Sequence, residues 1–175
     1  MIYQIENFLS EENFEKLLKK IEYYNTNPEY PGWKFAGWSS QGTVDKIFWR
    51  IDLHHDIFFQ EFLFSKVKKC IKDICDEQVE LDIVYLNGAT FGQQGYFHRD
   101  ISEDDGRTFL IYANRSWNEE WGGATVFKNE EEVISSFPAP MKAIYFHGNI
   151  EHFSQSLSKD FLDLRVTVAY KLRKV

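Results

Sequence analysis

The last strand of this chain restricts its fold more than any other stretch. From Asp163 to Leu172 the residues alternate, with Leu164, Val166, Val168, Tyr170 and Leu172 on one face and Arg165, Thr167, Ala169 and Lys171 on the other. A period of two belongs to a strand, because successive side chains of extended backbone point to opposite sides. The first face is wholly apolar and is expected to lie against helices. The second opens with an arginine, and the small residues behind it leave room inside a sandwich. Arg107 to Asn114 repeats the design, with Phe109 and Ile111 on one side and Thr108, Leu110 and Tyr112 on the other.

Ahead of these strands the spacing changes to helical. Ile2 to Phe8 reads as a first strand leading to Ser10, a helix N-cap. Phe14, Leu17, Leu18 and Ile21 then mark one helical face through about Tyr24. Asn25 to Gly32 contains Pro28 and Pro31 and reads as a loop. From Trp33 to Ile51 aromatics alternate loosely with polar residues, as in a hairpin turning near Ser39-Ser40-Gln41-Gly42. Its tryptophans serve either as core or as a flap over a substrate. Ile57 to Glu77 places Phe58, Phe62, Val67, Ile71, Ile74 and Cys75 at helical spacing, with Asp56 as N-cap. Strands follow at Val79 to Asn87 (ended by Asn87-Gly88), Gly123 to Lys128, Val133 to Phe137 and Met141 to His147, separated by turn residues. Helices followed by a run of antiparallel-looking strands predict a mainly β fold with supporting helices. Sixteen Phe, nine Tyr and five Trp favour strands and pocket walls. Without repeats or low-complexity tracts, residues 1–175 are expected to form a single domain.

The net charge of −7 argues against a nucleic-acid or anionic-membrane surface, since phosphate contacts rest on Lys and Arg. Lys66, Lys68 and Lys69 read as a solvated helix face. Met1-Ile2-Tyr3-Gln4-Ile5-Glu6 lacks the charged n-region and apolar run of a secretory leader, and no apolar run reaches membrane-spanning length. Cys70 and Cys75 fall within one predicted helix and read as buried thiols of a reducing compartment. Asn114-Arg115-Ser116 matches a glycosylation acceptor by coincidence. A cytoplasmic protein is expected.

The stretch that carries chemistry is Gly95-Tyr96-Phe97-His98-Arg99-Asp100. In extended backbone His98 and Asp100 share a face while Arg99 points away. With a distant histidine they make a two-histidine, one-carboxylate set, which leaves positions open on Fe(II). His54-His55-Asp56 has the same His-x-Asp spacing, but capping the following helix is sufficient work for Asp56. The third ligand is His147 or His152. His147 ends a strand beside Gly148. His152 opens the next extended segment, Glu151 to Gln155, and lies nearer in sequence to Arg165, so it is the preferred ligand. Arg165 offers a fork of donors suited to a carboxylate, and Thr167 and Tyr112 add hydroxyls. Taken alone, Arg165 reads as readily as a strand-edge arginine paired with a surface acid.

Together, His98-Arg99-Asp100, Trp117-Asn118-Glu119-Glu120-Trp121-Gly122-Gly123, His152 and Arg165-Val166-Thr167 resemble the Fe(II)/2-oxoglutarate-dependent dioxygenases, nearest the prolyl 4-hydroxylase-like branch. The markers span Tyr85 to Lys171. The resemblance implies a double-stranded β-helix, also called a jelly roll or cupin-like fold, with the N-terminal helices packed on its major sheet. It implies iron held by His98, Asp100 and His152. It also implies 2-oxoglutarate chelating that iron, with its far carboxylate on Arg165, Tyr112 and Thr167. O2 is then a co-substrate, ascorbate a reductant, and succinate and CO2 are products. The presence of Asp100 argues against a halogenase. Thr167 stands where the family has serine, which keeps the hydroxyl, and Phe91 stands where a tyrosine is common.

The expected reaction is hydroxylation of an unactivated C–H bond, foremost prolyl 4-hydroxylation of a proline-containing protein or peptide. Trp38, Trp49 and Trp121 are candidate substrate contacts, and the polar loop Ile101 to Gly106 the opposite flank. The alternatives are a hydroxylase of a small molecule or free amino acid, and a non-catalytic jelly roll whose His and Asp satisfy core hydrogen bonds. Nucleic-acid demethylation lacks a basic path.

Overall fold

A computed structural model describes residues 1–27, 29, 32–38, 45–129 and 132–175, without the side chains of 36–38, 45–47 and 129. The chain runs β1 (Ile2–Ile5), α1 (Glu11–Thr26), β2 (Lys34–Trp38), β3 (Asp45–Asp52), a π-helical turn (Phe58–Leu63) continuing into α2 (Phe64–Cys75), then β4 (Val79–Ala89) and β5 (Gly106–Tyr112). A 3₁₀ turn (Glu119–Trp121) precedes β6 (Thr125–Asn129), β7 (Glu132–Ser136), β8 (Ala143–His147), β9 (Glu151–Ser154) and β10 (Arg165–Lys174). Seven strands form one sheet in the order β1-β8-β5-β10-β4-β3-β2, and three form a second in the order β7-β6-β9. Every strand pairing is antiparallel. The result is the expected mainly β jelly roll with helices on the major sheet.

The alternation of β10 divides the interior in two. Val166, Val168, Tyr170 and Leu172 join Phe109 and Ile111 of β5 in a core shared with Phe14, Leu17 and Ile21 of α1 and Val67 and Ile71 of α2. On the opposite side Ala169 packs with Tyr85, Leu110, Tyr112, Phe127, Ile144 and Phe146 in the space facing the small sheet. Ser10 caps α1 through a bond from the Asn13 N–H at 3.3 Å. Asp56 accepts from the Phe58 N–H at 2.9 Å, so the first His-x-Asp carries a helix start. The helix behind it opens with a π turn, and the Tyr170 hydroxyl donates to the Phe59 carbonyl there at 2.8 Å.

Two features differ from expectation. Asn87-Gly88 does not end β4: Gly88 sits in the ladder opposite both Val166 and Trp49. A Cβ on Gly88 would lie 2.9 Å from Leu164 Cδ2 and 3.0 Å from Trp33 Cζ3, so the glycine permits close packing and makes no turn. Asn114, the apparent glycosylation site, has a structural role. Its amide donates to the Leu164 carbonyl at 2.8 Å and accepts from the Val166 N–H at 2.9 Å, bracketing Arg165. β2 and β3 form the expected hairpin. Its turn at 39–42, and prolines 28 and 31 of the preceding loop, lie outside the described residues.

Candidate metal centre

The Gly95–Asp100 stretch runs beside β9 as an irregular further strand. The Gly95 N–H bonds to the Ser154 carbonyl at 2.9 Å and the Asp100 N–H to the Gly148 carbonyl at 2.9 Å. Between them His98 and His152 exchange both backbone hydrogen bonds, each at 3.0 Å. Residues paired this way present their side chains to the same face, and the imidazole centroids are 4.4 Å apart. Asp100, two positions on, reaches both rings. Its Oδ1 lies 3.5 Å from His98 Nε2 and its Oδ2 lies 3.4 Å from His152 Nε2. One potential ligand atom from each residue falls within 4.8 Å of the others.

The ring orientations suit a metal. His98 Nδ1 lies 2.8 Å from the Tyr96 carbonyl and His152 Nδ1 lies 3.0 Å from the Ile150 carbonyl. A carbonyl accepts only, so each Nδ1 carries a proton, and each Nε2 is the ring nitrogen that faces Asp100. Burial pushes the His152 imidazole down to about 4, partly offset by Asp100, so it is neutral near pH 7. Burial would raise the Asp100 carboxyl, but Lys171, then His152 and His98, outweigh it and hold the group well below the usual carboxylate range. Two imidazoles and a carboxylate are the donor set of a facial iron site.

Arg165 is 4% exposed at the start of the inward face of β10. Its Nε donates to the Gly123 carbonyl at 2.7 Å and its Nη2 to Thr125 Oγ1 at 3.2 Å, with the guanidinium 5.4 Å from the Tyr112 ring centre. Gly123 has φ +72°, and a Cβ there would lie 2.8 Å from Leu157 Cδ2 and 3.1 Å from Arg165 Cδ. That position needs glycine both for its backbone and for the close arginine. Among the described residues no carboxylate lies within ion-pair distance of Arg165, and burial lowers its affinity for a proton. A buried guanidinium without an anion is costly. Asn87 Oδ1, Ser136 Oγ and Ser154 Oγ are also buried without partners. Asn87 lies opposite Thr167, Ser154 opposite Thr125, and Ser136 opposite Thr125 on the other side. An anionic, oxygen-rich ligand such as 2-oxoglutarate fits this interior.

Some groups the sequence reading left out enter here. Thr125 joins Tyr112 to Arg165, its Oγ1 lying 2.9 Å from the Tyr112 hydroxyl. The Tyr112 proton is directed to the Ser136 carbonyl at 2.8 Å, where a bound carboxylate would compete for it. Thr167 is 2% exposed on the Arg165 face. The Thr108 hydroxyl donates to Asp100 Oδ2 at 2.7 Å, and the Lys171 ammonium contacts the same oxygen. Carrying the alternation of β10 on from Arg165 turns Lys171 inward, so the signal for it was present. His147 stays outside the cluster, its N–H bonded to the Met1 carbonyl at 3.4 Å. Of the tryptophans, Trp49 packs on Phe35 at 4.9 Å and Trp121 on Phe161 at 5.2 Å, while the Trp38 side chain lies outside the described residues. Tyr96 and Phe97, just before His98, are exposed, as is Phe91.

The chain has the fold of the 2-oxoglutarate/Fe(II) oxygenases, prolyl hydroxylases among them. It is similar to a prolyl hydroxylase from Trichoplax adhaerens solved with a peptide fragment of the hypoxia inducible factor oxygen degradation domain, at 17% identity and TM-score 0.75 over 98% of this chain and 83% of that one. A viral collagen prolyl hydroxylase from Paramecium Bursaria Chlorella virus-1, solved with 2-oxoglutarate, aligns at 16% identity and TM-score 0.66 over 99% and 96%. An enzyme from Streptomyces hygroscopicus solved with nickel, 2-oxoglutarate and hygromycin B aligns at 12% identity and TM-score 0.68 over 98% and 82%. No family model matches the chain, and no curated protein matches it in sequence.

Proposed function

We propose that this protein is an Fe(II)- and 2-oxoglutarate-dependent dioxygenase that hydroxylates an unactivated C–H bond, acting on prolyl residues of a protein or peptide. The observation that carries the reading is a pair: a His98–Asp100–His152 cluster of metal-ligand geometry and, in the same sandwich, a buried arginine that meets no carboxylate among the described residues. His98, Asp100 and His152 hold the metal. Arg165, Tyr112 and Thr167 take the far carboxylate of 2-oxoglutarate, with Thr125 between Tyr112 and the guanidinium. When bound, the iron and 2-oxoglutarate supply oxidative decarboxylation to succinate and CO2 with transfer of oxygen from O2 to the substrate, ascorbate serving as reductant. The rings of Phe127 and Phe146 pack against His152 and hold it in place.

A prolyl substrate is supported by the two prolyl hydroxylases of the same fold, one solved with a peptide. The exposed rings of Tyr96 and Phe97, just before His98, and that of Phe91, with Trp49 and Trp121 part-exposed, offer surface for an extended chain. Phe97 packs edge-on against Phe153 at 4.7 Å, which holds one wall in place. The second reading, a small-molecule hydroxylase, draws on the hygromycin B complex of the same fold. We place the activity in a single domain over residues 1–175 and in the cytoplasm, with no nucleic-acid or membrane partner. The net charge of −7 is in keeping with this, and among the described residues no helix is long and apolar enough to cross a membrane. Incubating iron-loaded protein with proline-containing proteins and peptides, then locating a single-oxygen mass gain, tests the reading. A gain on proline supports it; a gain only on small molecules replaces it with the second reading.

A further inference from the structure

We infer that Lys171 and Thr108 together hold Asp100 as a one-oxygen metal ligand, a role that rests on the iron-site reading above. The two residues form one rung of the major sheet, Lys171 of β10 opposite Thr108 of β5. Cross-strand partners share a face, and both side chains meet the same atom, Asp100 Oδ2. Thr108 donates to it at 2.7 Å and the Lys171 ammonium contacts it. Thr108 is fully buried and the Lys171 side chain is 12% exposed. The ammonium has a built socket: it lies over the Tyr85 ring, 5.8 Å from its centre. Tyr85 is in turn covered by the Arg50 guanidinium, 3.9 Å from its ring centre. A lysine held in this way is a fixed donor.

The consequence lies in the lone pairs. A carboxylate oxygen offers two good acceptor directions. Thr108 and Lys171 occupy those of Oδ2, which also lies 3.4 Å from His152 Nε2, while Oδ1 takes neither donor and stands 3.5 Å from His98 Nε2. A metal held here would therefore meet Oδ1, the oxygen with lone pairs left over. In an octahedral site, two imidazoles and one carboxylate oxygen leave about three positions open, and a carboxylate bound through both oxygens leaves about two. A keto acid that chelates takes two. Only the one-oxygen mode then keeps a place for O2. Lys171 and Thr108 are positioning residues, because they act through Asp100.

The test counts bound water, because affinity alone mixes two effects. Losing Lys171 removes an orienting bond and also a like charge beside the metal, and these move affinity in opposite directions. The probe is Mn(II), read by its water-proton relaxivity on the full-length protein. The wild type binds Mn(II) and His98→Ala does not. In Lys171→Met the relaxivity of bound Mn(II) falls by about one third as open positions go from about three to two. Thr108→Val gives a smaller fall, and Thr108→Ser, which keeps the hydroxyl, gives none. Unchanged relaxivity in folded Lys171→Met and Thr108→Val, with binding still lost in His98→Ala, overturns the inference and leaves the metal site standing. Equal Mn(II) binding by His98→Ala overturns the site and the inference together. If Lys171→Met does not fold, the Thr108 pair decides, and equal relaxivity in Val and Ser overturns the inference.

Discussion

His98 and His152, far apart in the chain, are locked by two reciprocal backbone hydrogen bonds of 3.0 Å. That one rung places both imidazoles on one side and lets Asp100 meet them, so backbone pairing builds the ligand geometry before any ion arrives. Disrupting either ring should therefore abolish metal binding without unfolding the sheet. His98→Ala and His152→Ala are expected to weaken Co(II) binding by at least about 100-fold, as judged by titration calorimetry. His54→Ala, on the helix-capping His-x-Asp, is expected to leave it unchanged, and an equal loss there would mean that the wrong motif was chosen.

Arg165 is buried with no carboxylate in ion-pair range among the described residues. Arg165→Met should raise the KM for 2-oxoglutarate by about 10- to 100-fold, the loss of charged hydrogen bonds worth about 1.5–3 kcal/mol, with Co(II) affinity retained. Thr125→Val, which removes the hydroxyl between Tyr112 and Arg165, should raise the same KM by about 3- to 10-fold. Steady-state succinate assays at varied 2-oxoglutarate separate these effects from losses in kcat.

A second buried ion cluster governs stability. Glu77 accepts from Arg107 Nε at 2.9 Å and Nη2 at 3.0 Å, and lies 3.0 Å from Lys174 Nζ. Arg107, and less strongly Tyr145 and Lys174, lower its carboxyl from 4.5 to about 2 against the opposing effect of burial. A carboxyl lowered on folding stabilises the fold fully above its unfolded value, and that stabilisation disappears as pH falls from about 4.5 towards 2. Glu77→Gln leaves Arg107 buried without its partner and is expected to lose about 3 kcal/mol at pH 7. Urea unfolding at pH 7 and pH 3 should show the difference from wild type shrinking at the lower pH; a constant difference would contradict the cluster's role.

The π turn ahead of α2 rests on one tyrosine. Tyr170→Phe removes the bond to the Phe59 carbonyl and should lower stability by about 1 kcal/mol in urea unfolding. No change would mean that local sequence alone sustains the turn.

How much of this was legible beforehand follows from range. The two faces of β10 and the apolar stripe of α1 follow from periodicity, and both sit as the alternation requires. The choice of His98-x-Asp100 over His54-x-Asp56 was readable because a helix start explains Asp56 locally. Gly88 was misread because Asn-Gly has the composition of a turn, and the pressure of Trp33 and Leu164 on it is a tertiary fact. Lys171 falls on the Arg165 face by the alternation of β10, but its contact with Asp100 is a tertiary fact. Its partners Asp100, Thr108 and Tyr85 come from three separate segments. Thr125 was missed for the same reason: its meaning comes from Arg165 and Tyr112, which only the fold brings to it.

The central claim is that His98, Asp100, His152 and Arg165 serve one reaction centre for iron and 2-oxoglutarate. Fe(II)-dependent conversion of 2-oxoglutarate to succinate under O2 measures it most directly. The account predicts succinate from the wild-type protein, none from His152→Ala, and a raised KM in Arg165→Met. Folded, iron-loaded wild-type protein that forms no succinate, with candidate substrates present, would contradict it.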